Sequence, residues 1–485
     1  MAKKTSKHPK ASKPAKPAKP GKPAGPAKPA SPAKPASPAK PASPPNLIGG
    51  GGRLFANPVP GADEPSFQVN NTSSAYYNSP YYLQHQTQLQ PVPPPSMPQP
   101  TMDLSDVVGA DLIAQIQSAK TIVFHAVGDT GAAKVSATQS AGTAIAHEGS
   151  VADAMAADVA TGGAGAPAFF FHLGDIVYNF GEGQYYYDQF FEPFRAYDRP
   201  IFAVPGNHDG MVFGQNPGTP QVPTLQAFLR NFCAAEPGPS PDAGGLMRSV
   251  MTQPGVYFTL DAPFVSIIGL YSNVLDGPGV ISSQGGAYPT MTDDQLTFLQ
   301  AELTRLKPAH DAGQQAVLLA VHHPPASVDS LHGGTVGLAS DIDKTCQAAG
   351  LWPDAVLSGH AHLYQRFSRS VPGLGRAIPY VVSGSGGFAA TAPQTAAPAA
   401  GTTIGEYTLV TPPIVDFGYL TLTVDMTGQA GSLTISYRSV NQANARDSVT
   451  VSLAPAGGAA AAKAALAVRK GASGKPGAAR TRRRR

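Results

Sequence analysis

Through the middle of this chain, apolar residues come in short runs that are hydrophobic at nearly every position. Thr121–Val127 (with Ile122, Val123, Phe124 and Val127), Ala168–Leu173, Ile201–Val204, Ala316–Val321, Ala355–Leu357 and Ile378–Ser383 are the clearest. Such runs predict strands buried on both faces. Between them, helical spacing predicts helices over 106–117, 150–159, 185–194, 224–232, 292–306 and 339–349. Asp293 and Asp294 suit the positive end of the fifth. Val256–Leu260 and Phe264–Leu270 read as a hairpin, and Tyr419–Val424, Ser432–Val440 and Ser448–Leu453 as closing strands. Strands alternating with helices, then an antiparallel finish, predict an α/β fold with a mixed sheet or two sheets.

Charge divides the chain more sharply than length does. Residues 1–62 hold eleven lysines and Arg53, residues 448–485 hold nine Lys and Arg, and neither stretch holds an acid. All 31 acidic residues therefore lie between them, against 14 basic ones, so the overall +4 conceals an acidic centre between basic ends. Residues 1–45 are a Lys-Pro-Ala and Ser-Pro-Ala-Lys repeat, in which proline removes donors and little apolar surface is available to pack. They are expected to be a disordered, extended tail. It is either a solvated spacer or, like the tails of linker histones that it resembles, an arm for nucleic acid or another polyanion. The Arg-rich stretch 456–485 supports both readings equally. A Gly/Pro/Gln-rich linker is expected over 46–105 and the folded domain over 106–455. Cys233 and Cys346 are too few for a disulfide framework. No apolar run is long enough to span a bilayer. The charged N-terminus lacks the apolar region of an export signal, which favours a cytoplasmic location and leaves export open.

Five of the predicted strands share one feature: each ends in residue types that can bind metals. Their ends are Gly128-Asp129-Thr130-Gly131, Gly174-Asp175 with Tyr178, Gly206-Asn207-His208-Asp209, His322-His323 and Gly359-His360-Ala361-His362. Loops at the carboxyl ends of such strands are where α/β proteins place ligands. In extended chain His360 and His362 point the same way, and the preceding glycines let each turn aim a side chain into a shared crevice. Carboxylates, imidazoles, an amide oxygen and a phenol suit two divalent or trivalent metals. His322 and His323 face opposite ways in a strand, so only one is expected to be a ligand, with His323 supporting or structural. Tyr178 also fits as a core aromatic, and Asp129 and Asp175 as turn or cap residues. His125 and His172, inside apolar runs, read as core histidines, Tyr185–Tyr187 as packing, and the glycine-rich 383–387 as a structural turn.

Taken together, the five motifs resemble those of the calcineurin-like metallophosphoesterase superfamily, and within it the purple acid phosphatase branch. There the first motif is G-D-x-G, as in Gly128–Gly131, and a tyrosine replaces a histidine in G-D-x-x-Y, as at Tyr178. The remaining motifs match Gly206–Asp209, Ala320–His322 and Gly359–His362. The resemblance covers roughly residues 120–440. It implies a sandwich of two mixed β-sheets flanked by helices. It also implies that Asp129, Tyr178 and His362 hold a ferric ion, that Asn207, His322 and His360 hold an Fe, Zn or Mn ion, and that Asp175 bridges the two. His208, and His332 by likeness to the small tartrate-resistant enzymes, would meet the phosphate and the leaving alcohol. The implied activity is hydrolysis of small phosphomonoesters through a metal-bound hydroxide. Phosphodiester or nucleotide cleavage is the alternative on the same site, and polyanion binding through the tails the alternative of another kind.

Overall fold

The computed structural model describes residues 89, 91–134, 141–163, 165–178, 180–210, 224–272, 279–389 and 398–454, with only the backbone of 70–71, 133–134 and 141–144. All belong to the unit Leu54–Arg485. The expected tails 1–45 and 456–485, and residues 211–223 of the stretch before the hairpin, lie outside the described residues.

In chain order the principal elements are β1 (Thr101–Asp103), α1 (Ala110–Ala119), β2 (Thr121–Val127), α2 (Ala141–Ala160), β3 (Phe170–His172) and β4 (Ile201–Ala203). They continue with α3 (Gln226–Phe232), β5 (Phe258–Ala262), β6 (Val265–Leu270), α4 (Asp294–Asp311), β7 (Ala316–Val321), α5 (Val336–Ala349) and β8 (Ala355–Ser358). The last are β9 (Tyr364–Ser370), β10 (Ala377–Ser383), β11 (Thr403–Ile404), β12 (Tyr407–Leu409), β13 (Gly418–Asp425), β14 (Gly431–Ser439) and β15 (Asp447–Leu453). Nine strands form one sheet in the order β11-β12-β9-β10-β8-β7-β6-β5-β1, and six form another in the order β15-β14-β13-β2-β3-β4. Both are mixed. β6, β7, β8 and β10 run parallel in the first, and β2, β3 and β4 run parallel in the second.

The continuous apolar runs now have a cause. In β7, Leu318 and Ala320 join a cluster drawn from both sheets, with Phe171, Phe202, Leu260 and Leu422. Val317, Leu319 and Val321, one position out of phase, join a second cluster with Leu299 and Leu303 of α4 and Ile342 of α5. Each strand is therefore covered by the opposite sheet on one face and by helices on the other, and no position needs to be polar. Across the sheets, Arg366 of β9 donates two hydrogen bonds to the Asp447 carboxylate at the start of β15, at 2.6 and 2.8 Å, and the Tyr364 hydroxyl donates a third at 2.7 Å.

The structure departs from the sequence reading at several places, among them α2, which begins at Ala141 and not near residue 150. Sheet structure begins before Asp106, because Thr101–Asp103 pairs parallel with β5 and buries Met102. Three residues after a proline-rich stretch carry no readable period. The aromatic stretch 185–194 is not one helix but a 3-10 turn, a π-turn at Tyr187–Phe191 and another 3-10 turn opened by Pro193. The wide π-turn buries Gln189, Phe190 and Phe191 together, which a regular helix would spread around its axis. Helix α4 continues past Leu306 through Pro308, which gives up one backbone donor in the last turns. The stretch 388–415, expected as loop, contains β11 and β12, which extend the larger sheet beyond β9.

Phe171, buried between the sheets, carries much of this packing. Phe171→Ala should cost about 3–5 kcal/mol of folding stability. In urea this would appear as a lower midpoint with an unchanged slope; an unchanged midpoint would show the sheet interface to be less tightly packed than described.

Candidate metal centre

β2, β3 and β4 of one sheet and β7 and β8 of the other deliver their carboxyl-terminal loops to one place. Asp129 (φ 59°), Asp175 (φ 56°) and His360 (φ 68°) all sit in the left-handed region. For non-glycine residues this costs on the order of 1–3 kcal/mol each, and is tolerated where the surroundings dictate it. The glycines before them act mostly by leaving room. A Cβ on Gly206 would lie 2.1 Å from Asp175 Oδ1, one on Gly359 2.5 Å from Asp129 Oδ2, and one on Gly174 2.5 Å from His322 Nδ1. Of these, Gly174 alone also has the positive φ (98°) that favours glycine.

The side chains form two groups that share Asp175. In the first, the Tyr178 hydroxyl lies 3.1 Å from Asp129 Oδ1, 2.9 Å from Asp175 Oδ2 and 3.3 Å from His362 Nε2. His362 Nε2 is in turn 3.4 Å from Asp129 Oδ1. In the second, Asn207 Oδ1 lies 3.0 Å from both His322 Nε2 and His360 Nδ1, and His322 Nε2 is 3.4 Å from Asp175 Oδ2. One donor atom each from Asp175, His322 and His360 fits within 4.8 Å.

Hydrogen bookkeeping shows what is missing from these contacts. His322 Nδ1 is 2.8 Å from the Leu173 carbonyl, which can only accept, so the ring hydrogen resides on Nδ1. Nε2 therefore faces the oxygens of Asn207 and Asp175, and it meets them with a lone pair unless a cation, a proton or a metal ion, lies between. Likewise Tyr178 has one hydrogen for two carboxylates, so one close contact is oxygen to oxygen with no hydrogen between. Lone pairs converging in a buried site call for a cation. A histidine whose second nitrogen is engaged by a backbone carbonyl is the usual form of an oriented metal ligand. Burial alone would lower His322, but the Asp175 and Asp129 carboxylates outweigh it and raise its pKa to about 9, so without a metal ion Nε2 takes up a proton whose place a metal would take. Burial likewise opposes ionisation of Asp175, yet His322 and His208 hold its carboxyl well below the usual range. Burial, then the carboxylates of Asp129 and Asp175, push the Tyr178 phenol far up. Burial, then the neighbouring His323 and His332, push His360 well down. The residues present fit two metal ions: hard oxygen donors with one imidazole on one side, imidazoles with an amide oxygen on the other, and a carboxylate between.

His208 and His332 stand at the edges. The His208 backbone N–H donates to Asp175 Oδ1 (2.9 Å), and its ring lies 4.4 Å from that of Tyr178. His332 packs 4.3 Å from the His360 ring and 5.4 Å from that of His362, with Nδ1 2.9 Å from Asp329 Oδ2. In the bend just after β7, the His323 ring stands at 89° to that of His322, takes Ser272 Oγ at 2.7 Å on Nδ1, and backs His360 at 4.1 Å. His125 pairs with Asp158 (3.4 Å) and His172 with Thr130 Oγ1 (2.9 Å), both buried in structural roles. Tyr186 is buried within the aromatic cluster. The 383–387 turn lies against the first loop: Gly386 N–H donates to the Gly128 carbonyl.

Supporting residues escaped the sequence reading. Buried Asp209 accepts from the N–H groups of Ile176 (3.1 Å), Val177 (3.3 Å) and Gly206 (2.9 Å), tying two loops together. Burial and the Asp175 charge raise its pKa to about 7. Gln189, in the π-turn, exchanges hydrogen bonds with both backbone groups of Tyr178, at 2.9 and 3.0 Å. Asp329 collects the N–H groups of Leu331, His332 and Gly333 beneath the His332 ring. Asp209 stood in a quoted motif; Gln189 and Asp329 carried no signal, because a lone amide or carboxylate in a turn looks like any other.

The family model for calcineurin-like phosphoesterases matches residues 122–364. Among solved structures the chain is similar to a purple acid phosphatase from yellow lupin (Lupinus luteus) seeds. That pair shows 17% identity and a TM-score of 0.45, over 69% of this chain and 54% of that one. It is similar also to an anchor protein of the inner membrane complex of Plasmodium (13%, 0.45, 71% and 95%) and to a dimetal phosphatase from Danio rerio (12%, 0.38, 69% and 99%). The chain thus spans about half the length of the lupin enzyme. No curated protein matches it.

Gly206→Ala should drive a methyl group onto Asp175 and release bound metal, read as a loss of metal per chain after gel filtration. Gly245→Ala, whose Cβ would meet nothing within 4 Å, should retain it. Full metal content in Gly206→Ala would show that the close approach at Asp175 is not needed.

Proposed function

The chain belongs to the calcineurin-like phosphoesterase family, and on that premise we propose that it is a binuclear metal-dependent hydrolase of phosphomonoesters, of the purple acid phosphatase type. Asp129, Tyr178 and His362 would hold a ferric ion, Asn207, His322 and His360 would hold an iron, zinc or manganese ion, and Asp175 would serve both. The observation that carries this reading is the His322 ring. Its Nδ1 is committed to the Leu173 carbonyl, which turns Nε2 toward Asn207 and Asp175. A hard phenolate oxygen at Tyr178 suits a trivalent ion better than imidazole does.

Two ions in such a site neutralise charge on the phosphoryl group and bring water toward neutral acidity. The remaining tasks fall to the chain. Asp175 is held in place by the His208 N–H. Asp329 fixes His332 through Nδ1, which leaves Nε2 for a phosphate oxygen. His208, beside Tyr178, donates the proton that the departing alcohol needs. With p-nitrophenyl phosphate, Asp175→Ala and His322→Ala should each lose more than about a hundredfold in kcat/KM. The wild-type protein should absorb in the visible through its tyrosinate–iron contact, and Tyr178→Phe should bleach it. Retained hydrolysis in Asp175→Ala would rule out this site, and faster cleavage of bis(p-nitrophenyl) phosphate than of the monoester would make the enzyme a diesterase.

The basic ends favour a second property alongside the first, attachment to nucleic acid or another polyanion, because charge of this density needs no fold to act. Deleting 1–45 and 456–485 should weaken DNA binding and flatten its dependence on salt. Unchanged affinity and slope would make the tails spacers.

A further inference from the structure

Phe388 follows the glycine turn after β10 and touches each of the three groups assigned to the ferric side. Its ring lies nearly cofacial with that of Tyr178, centroids 3.8 Å apart at 7°. It meets the His362 ring edge-on at 4.8 Å and 78°. Its backbone N–H donates to the Asp129 carbonyl at 3.0 Å. On the far side of Tyr178 stands the His208 ring at 4.4 Å, so the phenol is enclosed between two aromatic rings. Neutral rings prefer offset or edge-on contacts to a cofacial one, so the arrangement is imposed by the surroundings. The turn imposes it. Gly387 has φ 150°, and a Cβ there would lie 2.6 Å from Glu148 Cα, so only glycine brings the next residue over Tyr178.

We propose that Phe388 is a positioning residue for the metal centre: it clamps the Tyr178 phenol and the His362 ring in their binding orientation and keeps water off one face of the phenolate. The inference rests on Tyr178 being a ligand, and goes beyond that reading by assigning the part to a residue that offers no donor atom of its own. A ring that only filled space would be replaced adequately by leucine. A clamp would not, because leucine cannot present a flat face to Tyr178 and an edge to His362 together.

The test is the rate at which EDTA strips metal from the purified full-length protein, followed by metal analysis and by the visible band. Phe388→Leu should release metal about three- to tenfold faster, the worth of a stacked aromatic pair, and shift the band. Phe388→Tyr should restore both. On a Tyr178→Phe background, Phe388→Leu should have a smaller effect, keeping only the part exerted through His362, because the phenolate it orients is gone. Wild-type release and colour in Phe388→Leu, or the same acceleration on both backgrounds, would overturn the clamp and leave the metal centre standing. If Tyr178→Phe alone changes neither release nor colour, Tyr178 is not a ligand, and the reading beneath the inference fails instead.

Discussion

The structure depends on a set of buried acceptor atoms that face one another and need a cation, a proton or a metal ion, among them. The Tyr178 hydroxyl between two carboxylates, and His322 Nε2 against Asn207 and Asp175, are arrangements that water-free surroundings penalise heavily unless a cation occupies the middle. A flexible chain would relieve them by rotating side chains away. Here they persist because each sits at the end of a strand packed on both faces, where neither the backbone nor the adjoining turn can move independently.

The supporting devices follow from that constraint. Three left-handed residues, each unfavourable alone, are stabilised by contacts that run through the site itself. The His360 N–H donates to Asp129, the Asp129 N–H to the Gly174 carbonyl, and the His208 N–H to Asp175. The loops therefore brace one another directly, with Asp209 and Gln189 adding hydrogen bonds from behind. Charge works the same way: Asp175 and His322 shift each other in opposite directions, as members of an ion pair must.

Much of this was legible in the chain. Strands covered on both faces leave an unmistakable run of apolar residues, as in Ala316–Val321, and the side chains proposed as metal ligands come shortly after such runs. Five motifs in order, ending in Asp129, Asp175 with Tyr178, Asn207, His322 and His360 with His362, pointed to one crevice. What stayed hidden was of two kinds. Short strands at or next to a sheet edge, such as Thr101–Asp103 and Tyr407–Leu409, take their conformation from their neighbours and not from their own pattern. Residues that act by orienting others, Gln189 in its π-turn, Asp329 beneath His332 and Phe388 over Tyr178, bear ordinary side chains whose role exists only in three dimensions. The glycines read as residues that permit turns and, at Gly359, a close approach of the backbone, and the structure uses Gly174, Gly206 and Gly359 for clearance.

The central claim is that these side chains surround two ions with the Asp175 carboxylate between them. Anomalous diffraction from crystals of the protein, recorded at the absorption edges of iron, zinc and manganese, tests it most directly. The account predicts two peaks about 3.5–4 Å apart, one iron beside Asp129, Tyr178 and His362 and one metal beside Asn207, His322 and His360. A single peak, or two peaks that Asp175 does not touch in common, would contradict it.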